Sequence, residues 1–119
     1  MEIILTDSVR EWYEEKIPLH EGEAIRFFGK TYGTTNVHEG FSLGMQVDNP
    51  DNHDNILALT EENGRKYFTT KQDEWFFEGY DLQIDLDEEL AEPNYRFISQ
   101  DPNVESKEVD STSSASKKE

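Results

Sequence analysis

The chain has 119 residues, 27 acids against 11 bases, no cysteine and a formal net charge of -16 at pH 7. That charge excludes binding to the phosphate arrays of nucleic acids unless a local basic patch overrides it, and the sequence contains none. Without cysteine there are no disulfides, thiolate nucleophiles, zinc–thiolate sites or Cys-ligated iron–sulfur clusters, and the length suits one domain.

Met1-Glu2-Ile3-Ile4-Leu5-Thr6 has neither a basic region nor an apolar run of signal-peptide length, and no later apolar stretch approaches the roughly 20 residues needed to cross a bilayer. The expectation is a soluble cytoplasmic protein with no membrane contact. A short strand over Glu2–Leu5 leads into a helix with Thr6 at its N-cap and Asp7 where the helix dipole favours a carboxylate. Val9, Trp12, Tyr13 and Ile17 form its apolar stripe, opposite Arg10, Glu11, Glu14 and Glu15. Pro18 ends it at about Lys16 or Ile17, because a residue before proline is biased out of the helical region.

From there the period changes to 2. Ala24-Ile25-Arg26-Phe27-Phe28 is one strand, and Phe41, Leu43, Met45 and Val47 alternate with Ser42, Gly44 and Gln46 in another. Ile56–Thr60 and Arg65–Thr70 flank Glu61-Glu62-Asn63-Gly64, whose Asn-Gly predicts a hairpin. Lys71–Phe77 is a short helical turn. A last strand over Tyr80–Leu86 points Tyr80, Leu82, Ile84 and Leu86 one way and Asp81, Gln83 and Asp85 the other. The sum is an α+β, mostly β domain over residues 1–98, with its strands largely antiparallel.

Residues 99–119, SQDPNVESKEVDSTSSASKKE, hold no aromatic residue and too little apolar surface to offset ordering, and are expected to be an acidic, Ser-rich disordered tail. Residues 1–98 still carry 22 acids against 8 bases, so the acidity belongs to the folded part.

Few patterns carry chemistry. Gly29-Lys30-Thr31 matches the end of a phosphate-binding loop, but the position of its first glycine is Ala24 and a strand replaces the flexible loop. His20, His38 and His53 show no i, i+4 pairing. Asp48–Asn55 lacks the glycine of a calcium loop and reads as a hydrophilic connection. Gln72–Glu92 contains nine acids and no base. Asp81, Asp85 and Asp87 share one strand face, and Glu88 and Glu89 follow in the turn. These five form a candidate acidic interaction face for a cation or a basic protein partner. A solvated face that keeps a small protein soluble is the plainer reading, and glycosidase-like acid chemistry is the remote one.

The order of features resembles a known family. Ile3-Ile4-Leu5-Thr6-Asp7 opening a helix, Ile25-Arg26-Phe27-Phe28 before a glycine turn, Gly40-Phe41-Ser42-Leu43-Gly44, Asp73-Glu74-Trp75-Phe76-Phe77-Glu78-Gly79 and Leu82-Gln83-Ile84-Asp85 together look like the HesB-like domain of A-type iron–sulfur carriers. The resemblance covers about residues 2–98 and is nearest to the HesB/YadR/YfhF-type subgroup of Gram-positive bacteria. It implies two small packed β-sheets with a short N-terminal helix, and it allows a homodimer. A-type carriers hold iron or a cluster through a cysteine after the glycine turn and a Cys-Gly-Cys near the C-terminus. Here those regions read Tyr32-Gly33-Thr34-Thr35-Asn36 and Pro93-Asn94-Tyr95-Arg96-Phe97, so no ligand residue and no cofactor is carried over.

Three functional expectations follow. The chain is a non-enzymatic adaptor attached to iron–sulfur or iron handling without a cluster of its own. Alternatively, it is an acidic interaction module for a basic partner. The third reading is an enzyme using its clustered carboxylates.

Overall fold

A computed structural model describes residues 1–31, 41–104 and 106–109. Strand β1 (Ile3–Leu5) runs into helix α1 (Asp7–Lys16), as the apolar spacing predicts. Thr6 occupies the N-cap position with extended backbone, and its carbonyl accepts the Arg10 N–H at 3.0 Å. Its hydroxyl makes no cap hydrogen bond to the backbone, so the helix starts on conformation and on Asp7 rather than on a side-chain cap. At the other end Ile17 leaves the helical region, and the Arg65 guanidinium donates to the carbonyls of Tyr13 and Ile17. The Tyr13 carbonyl also accepts the Ile17 N–H at 2.9 Å, so the guanidinium from a distant strand clamps the C-terminal turn of the helix.

Strands β2 (Ala24–Thr31), β3 (Phe41–Asp48), β4 (Ile56–Glu62) and β5 (Arg65–Thr70) form one sheet in the order β3-β2-β5-β4. Asn63 and Gly64 both have positive φ, 54° and 77°, the conformation that the tight turn between β4 and β5 requires. After β5 a turn of 3₁₀ helix leads into α2 (Glu74–Phe77). The second sheet is built from β1, β6 (Tyr80–Asp87), β7 (Glu92–Ser99) and β8 (Lys107–Val109), in the order β1-β6-β7-β8. The domain is therefore α+β and mostly β, two four-stranded sheets with a short N-terminal helix. Pairing is largely antiparallel, with β1–β6 and β2–β5 parallel.

Two strands are additions to the expected set. β7 carries Glu92-Pro93-Asn94, residues that disfavour strands. Its pairing with β8 involves only Tyr95–Phe97, so Pro93 falls where β7 has a neighbour on one side and the missing N–H costs nothing. β8 lies inside the expected tail, and its main chain adds to β7 although its composition offers no core. The expected disorder of 99–119 is thus corrected at Lys107–Val109. Residues 110–119 lie outside the described residues, as does the glycine turn at 32–40.

The sheets meet over a shared aromatic core. Phe27 of the first sheet packs between Tyr13 of α1 and Tyr95 of the second, with ring centroids at 6.2 and 6.0 Å. The Tyr13 and Tyr95 hydroxyls hydrogen-bond at 2.6 Å, and burial pushes the Tyr13 phenol well above its ordinary pKa. Phe76 and Phe77 close the end of this core against Phe97. Gly29 is the point of closest approach, since a Cβ there would stand 2.4 Å from Cγ of Phe76. Gly29→Ala should therefore cost about 1–3 kcal/mol by overpacking, read as a lower urea midpoint. An unchanged midpoint would mean that Phe76 moves aside freely. Among the described residues no helix is long and apolar enough to cross a membrane.

Candidate functional site

The alternation expected for β6 is present: Leu82 and Ile84 are fully buried, and Asp81, Gln83 and Asp85 lie on the other face. The carboxylates on that face are tied into the fold. Asp81 accepts the Glu2 N–H at 2.9 Å and the Gln100 side-chain amide at 2.8 Å, joining the N-terminal strand to the segment after β7. Asp85 accepts from the Asn94 side chain across the ladder at 3.2 Å. Asp87 accepts the N–H groups of Glu89 and Leu90 at 3.0 and 3.2 Å and so organises the β6–β7 turn. Of the five, only Glu88 and Glu89 are exposed, with no such side-chain role among the described residues.

The face is also less uniform than the run Gln72–Glu92 suggests. In register, Arg96 of β7 stands opposite Gln83, and Asp81 and Asp85 are its diagonal neighbours. A positive charge is therefore set in the middle of the strand portion, where a cation would otherwise be drawn. The acidity concentrates instead at the turn, where Asp87 and Glu92 are register partners and Glu88, Glu89 and the exposed Leu90 form the tip. Trp12 of α1 pins the turn by donating its indole N–H to the Ala91 carbonyl at 2.8 Å.

The second polar constellation escaped sequence reading. On the outer face of the first sheet, Arg26 stands 3.1 Å from Asp73 and 3.6 Å from Asp48, and its guanidinium also reaches the Thr70 hydroxyl at 3.3 Å. The His53 imidazole meets the same Asp48 carboxylate at 2.9 Å and packs on Phe68 with a centroid distance of 5.8 Å. Asp73 is buried, an outcome that acidic residues rarely tolerate without a partner. The signal was a single arginine within the apolar run Ala24–Phe28. A strand alternates faces, so Arg26 had to leave the core side shared by Ile25 and Phe27 and find acids on the other. The connection read as merely hydrophilic is an ordered turn, in which the Asn49 side chain accepts the Asp51 N–H at 2.8 Å and delivers His53 to Asp48.

For Asp48, burial would raise the carboxyl pKa. Hydrogen bonds from His53 and from the Asn49 N–H, with the nearby charges of His53 and Arg26, outweigh burial and hold it below the usual carboxylate range. A depressed folded-state pKa adds stability that is complete above the unfolded value near about 4 and lost as pH falls through the lower folded value. Asp48→Asn should therefore cost about 1–2 kcal/mol at neutral pH, with the gap to the parent closing in strong acid. Urea unfolding of both proteins at stepped pH reads this directly. A gap that stayed constant down to pH 2 would contradict it.

Among the described residues no three His, Cys, Asp or Glu side chains converge as a metal-binding set. The Arg26 guanidinium is engaged by Asp73, Asp48 and Thr70 while its buried Nε has no partner among the described residues, and Asp81, Asp85 and Asp87 of β6 each accept hydrogen bonds from within the fold.

No family model matches the chain. A protein of Bacillus subtilis named pyruvate dehydrogenase inhibitor is 31% identical over 97 residues, spanning 82% of this chain and 99% of that protein. An uncharacterised protein of Staphylococcus saprophyticus is 29% identical over 96 residues, spanning 80% of this chain and 97% of its own length. One from Staphylococcus haemolyticus is 27% identical over 95 residues, spanning 76% and 95%. The matches add nothing specific to the HesB-like resemblance.

Proposed function

The chain belongs to the family of the Bacillus subtilis pyruvate dehydrogenase inhibitor, and on that premise we propose that it is a non-catalytic cytoplasmic protein that binds a pyruvate dehydrogenase and lowers its activity. The observation that carries this reading is the extent of the match, which spans 99% of the relative and so includes whatever surface that protein uses. The described site chemistry is in keeping with it. Carboxylates engaged in holding turns and sheets together offer an acidic, preorganised surface.

The test is a titration of the purified chain into purified pyruvate dehydrogenase complex, with turnover measured at low and at raised salt. Saturable inhibition that weakens with salt is expected. Full turnover at a large molar excess of the chain would end the proposal.

A second reading, an adaptor in iron–sulfur or iron handling that carries no cluster of its own, rests on the HesB-like resemblance of the ordered motifs alone. A chain that leaves dehydrogenase turnover untouched but is recovered with cluster-assembly proteins would favour that alternative.

A further inference from the structure

The two sheets end in four edge strands among the described residues, β1 and β8 in one and β3 and β4 in the other. An open edge presents unpaired backbone groups, and proteins blunt it with short length, charge or a bulge. β1 and β8 are three residues each. β4 carries a register shift between Ile56 and Ala58 and ends in Glu61-Glu62. β3 has none of these devices. It is eight residues long, FSLGMQVD, pairs with β2 in unbroken register, and contains no proline, no lysine and one acid. That acid is Asp48, whose charge is already met by Arg26 and His53.

The core-facing side of β3 is also incompletely covered. Val47 is the register partner of Ile25 and Met45 that of Phe27, both of which are fully buried. Yet Val47 itself is 42% exposed. A chain of net charge -16 thus keeps one long, nearly neutral edge with apolar surface at its rim.

We infer that the outer edge of β3 is the docking site for an extended basic segment of the partner enzyme, which adds as a further strand and covers Val47. The inference rests on the inhibitor reading for the identity of the partner. Charge selects the occupant: two copies at -16 repel, whereas a basic segment is drawn in by the whole molecule and then pairs where local charge does not need to be desolvated. Main-chain hydrogen bonds would supply affinity and contact with the exposed Val47 side chain the side-chain preference.

Val47→Glu separates this from simple electrostatic attraction, because it adds a charge of the attracting sign while placing a carboxylate where an apolar side chain must sit. Inhibition of the purified pyruvate dehydrogenase complex should weaken at least tenfold, with the variant's fold checked by thermal melting. Independently of any variant, hydrogen exchange on the full wild-type chain should show amides of Phe41–Asp48 slowed at least tenfold in the complex. Inhibition by Val47→Glu equal to that of the wild type, or protection confined to other segments, overturns the inference and leaves the inhibitor reading standing. Absence of both binding and inhibition by the wild-type chain overturns the inhibitor reading, and the assigned occupant falls with it. A wild-type dimer in sedimentation that Val47→Glu converts to monomer overturns the assigned occupant in favour of a second copy.

Discussion

Replacing Asp73 by Ala is expected to cost about 3–5 kcal/mol, a large part of the stability of a domain this size. The Asp73 side chain is 8% exposed and that of Arg26 11%, so the pair lies mostly out of water. Removing the carboxylate leaves the guanidinium with Asp48 at the longer distance of 3.6 Å and the Thr70 hydroxyl as its remaining partners. It also removes the oxygen 3.5 Å from the Gly29 N–H, at the point where β2 and β5 have ceased to pair and Asp73 stands in for a strand. Chemical denaturation measures the loss. The double variant Arg26→Met with Asp73→Leu should recover most of it, since replacing both charges by apolar groups removes the desolvation cost along with the attraction. A single-variant loss below about 1 kcal/mol would show that water reaches the pair and screens it.

Phe27→Ala should cost a similar amount, about 3–5 kcal/mol, by leaving a cavity between the sheets. Phe27 is fully buried, and its ring stands between Tyr13 of α1 and Tyr95 of the opposite sheet. Its loss removes the contact through which the two sheets and the helix share one core, so unfolding should also become less cooperative. Phe28 is the built-in control. It occupies the next position on the same strand, faces outward, and has the Arg26 guanidinium 5.7 Å from its ring centroid. Phe28→Ala should cost clearly less, and equal losses at the two positions would contradict the assigned faces of β2.

Both effects belong to the same strand and differ in how far they could be read from the chain. Ile25, Phe27 and their alternation announce a half-buried strand, because the side-chain period of extended backbone is written directly in sequence. The same holds for Leu82 and Ile84 in β6, for the stripe Val9–Tyr13 of α1, and for Asn63-Gly64, where two positive φ angles need those residue types. The α+β, mostly β class followed from these local periods, whereas the division into two sheets was only what the HesB-like resemblance implied.

What lies between distant segments did not. Arg26 and Asp73 are 47 positions apart, and Asp81 meets Glu2 across 79. β7 opens on residues that disfavour strands and β8 lies in a segment expected to be disordered, and both pair because main-chain partners stand on β6 and on β7 itself. Likewise the acidic run around β6 looked like one surface, until register placed Arg96 inside it and hydrogen bonds employed Asp81, Asp85 and Asp87. Charge, core parity and turns are properties of neighbours along the chain, so composition and spacing reveal them. Which carboxylates are spent on structure, and which strands end each sheet among the described residues, depends on pairings that close over long loops, and those appear only when the chain has folded.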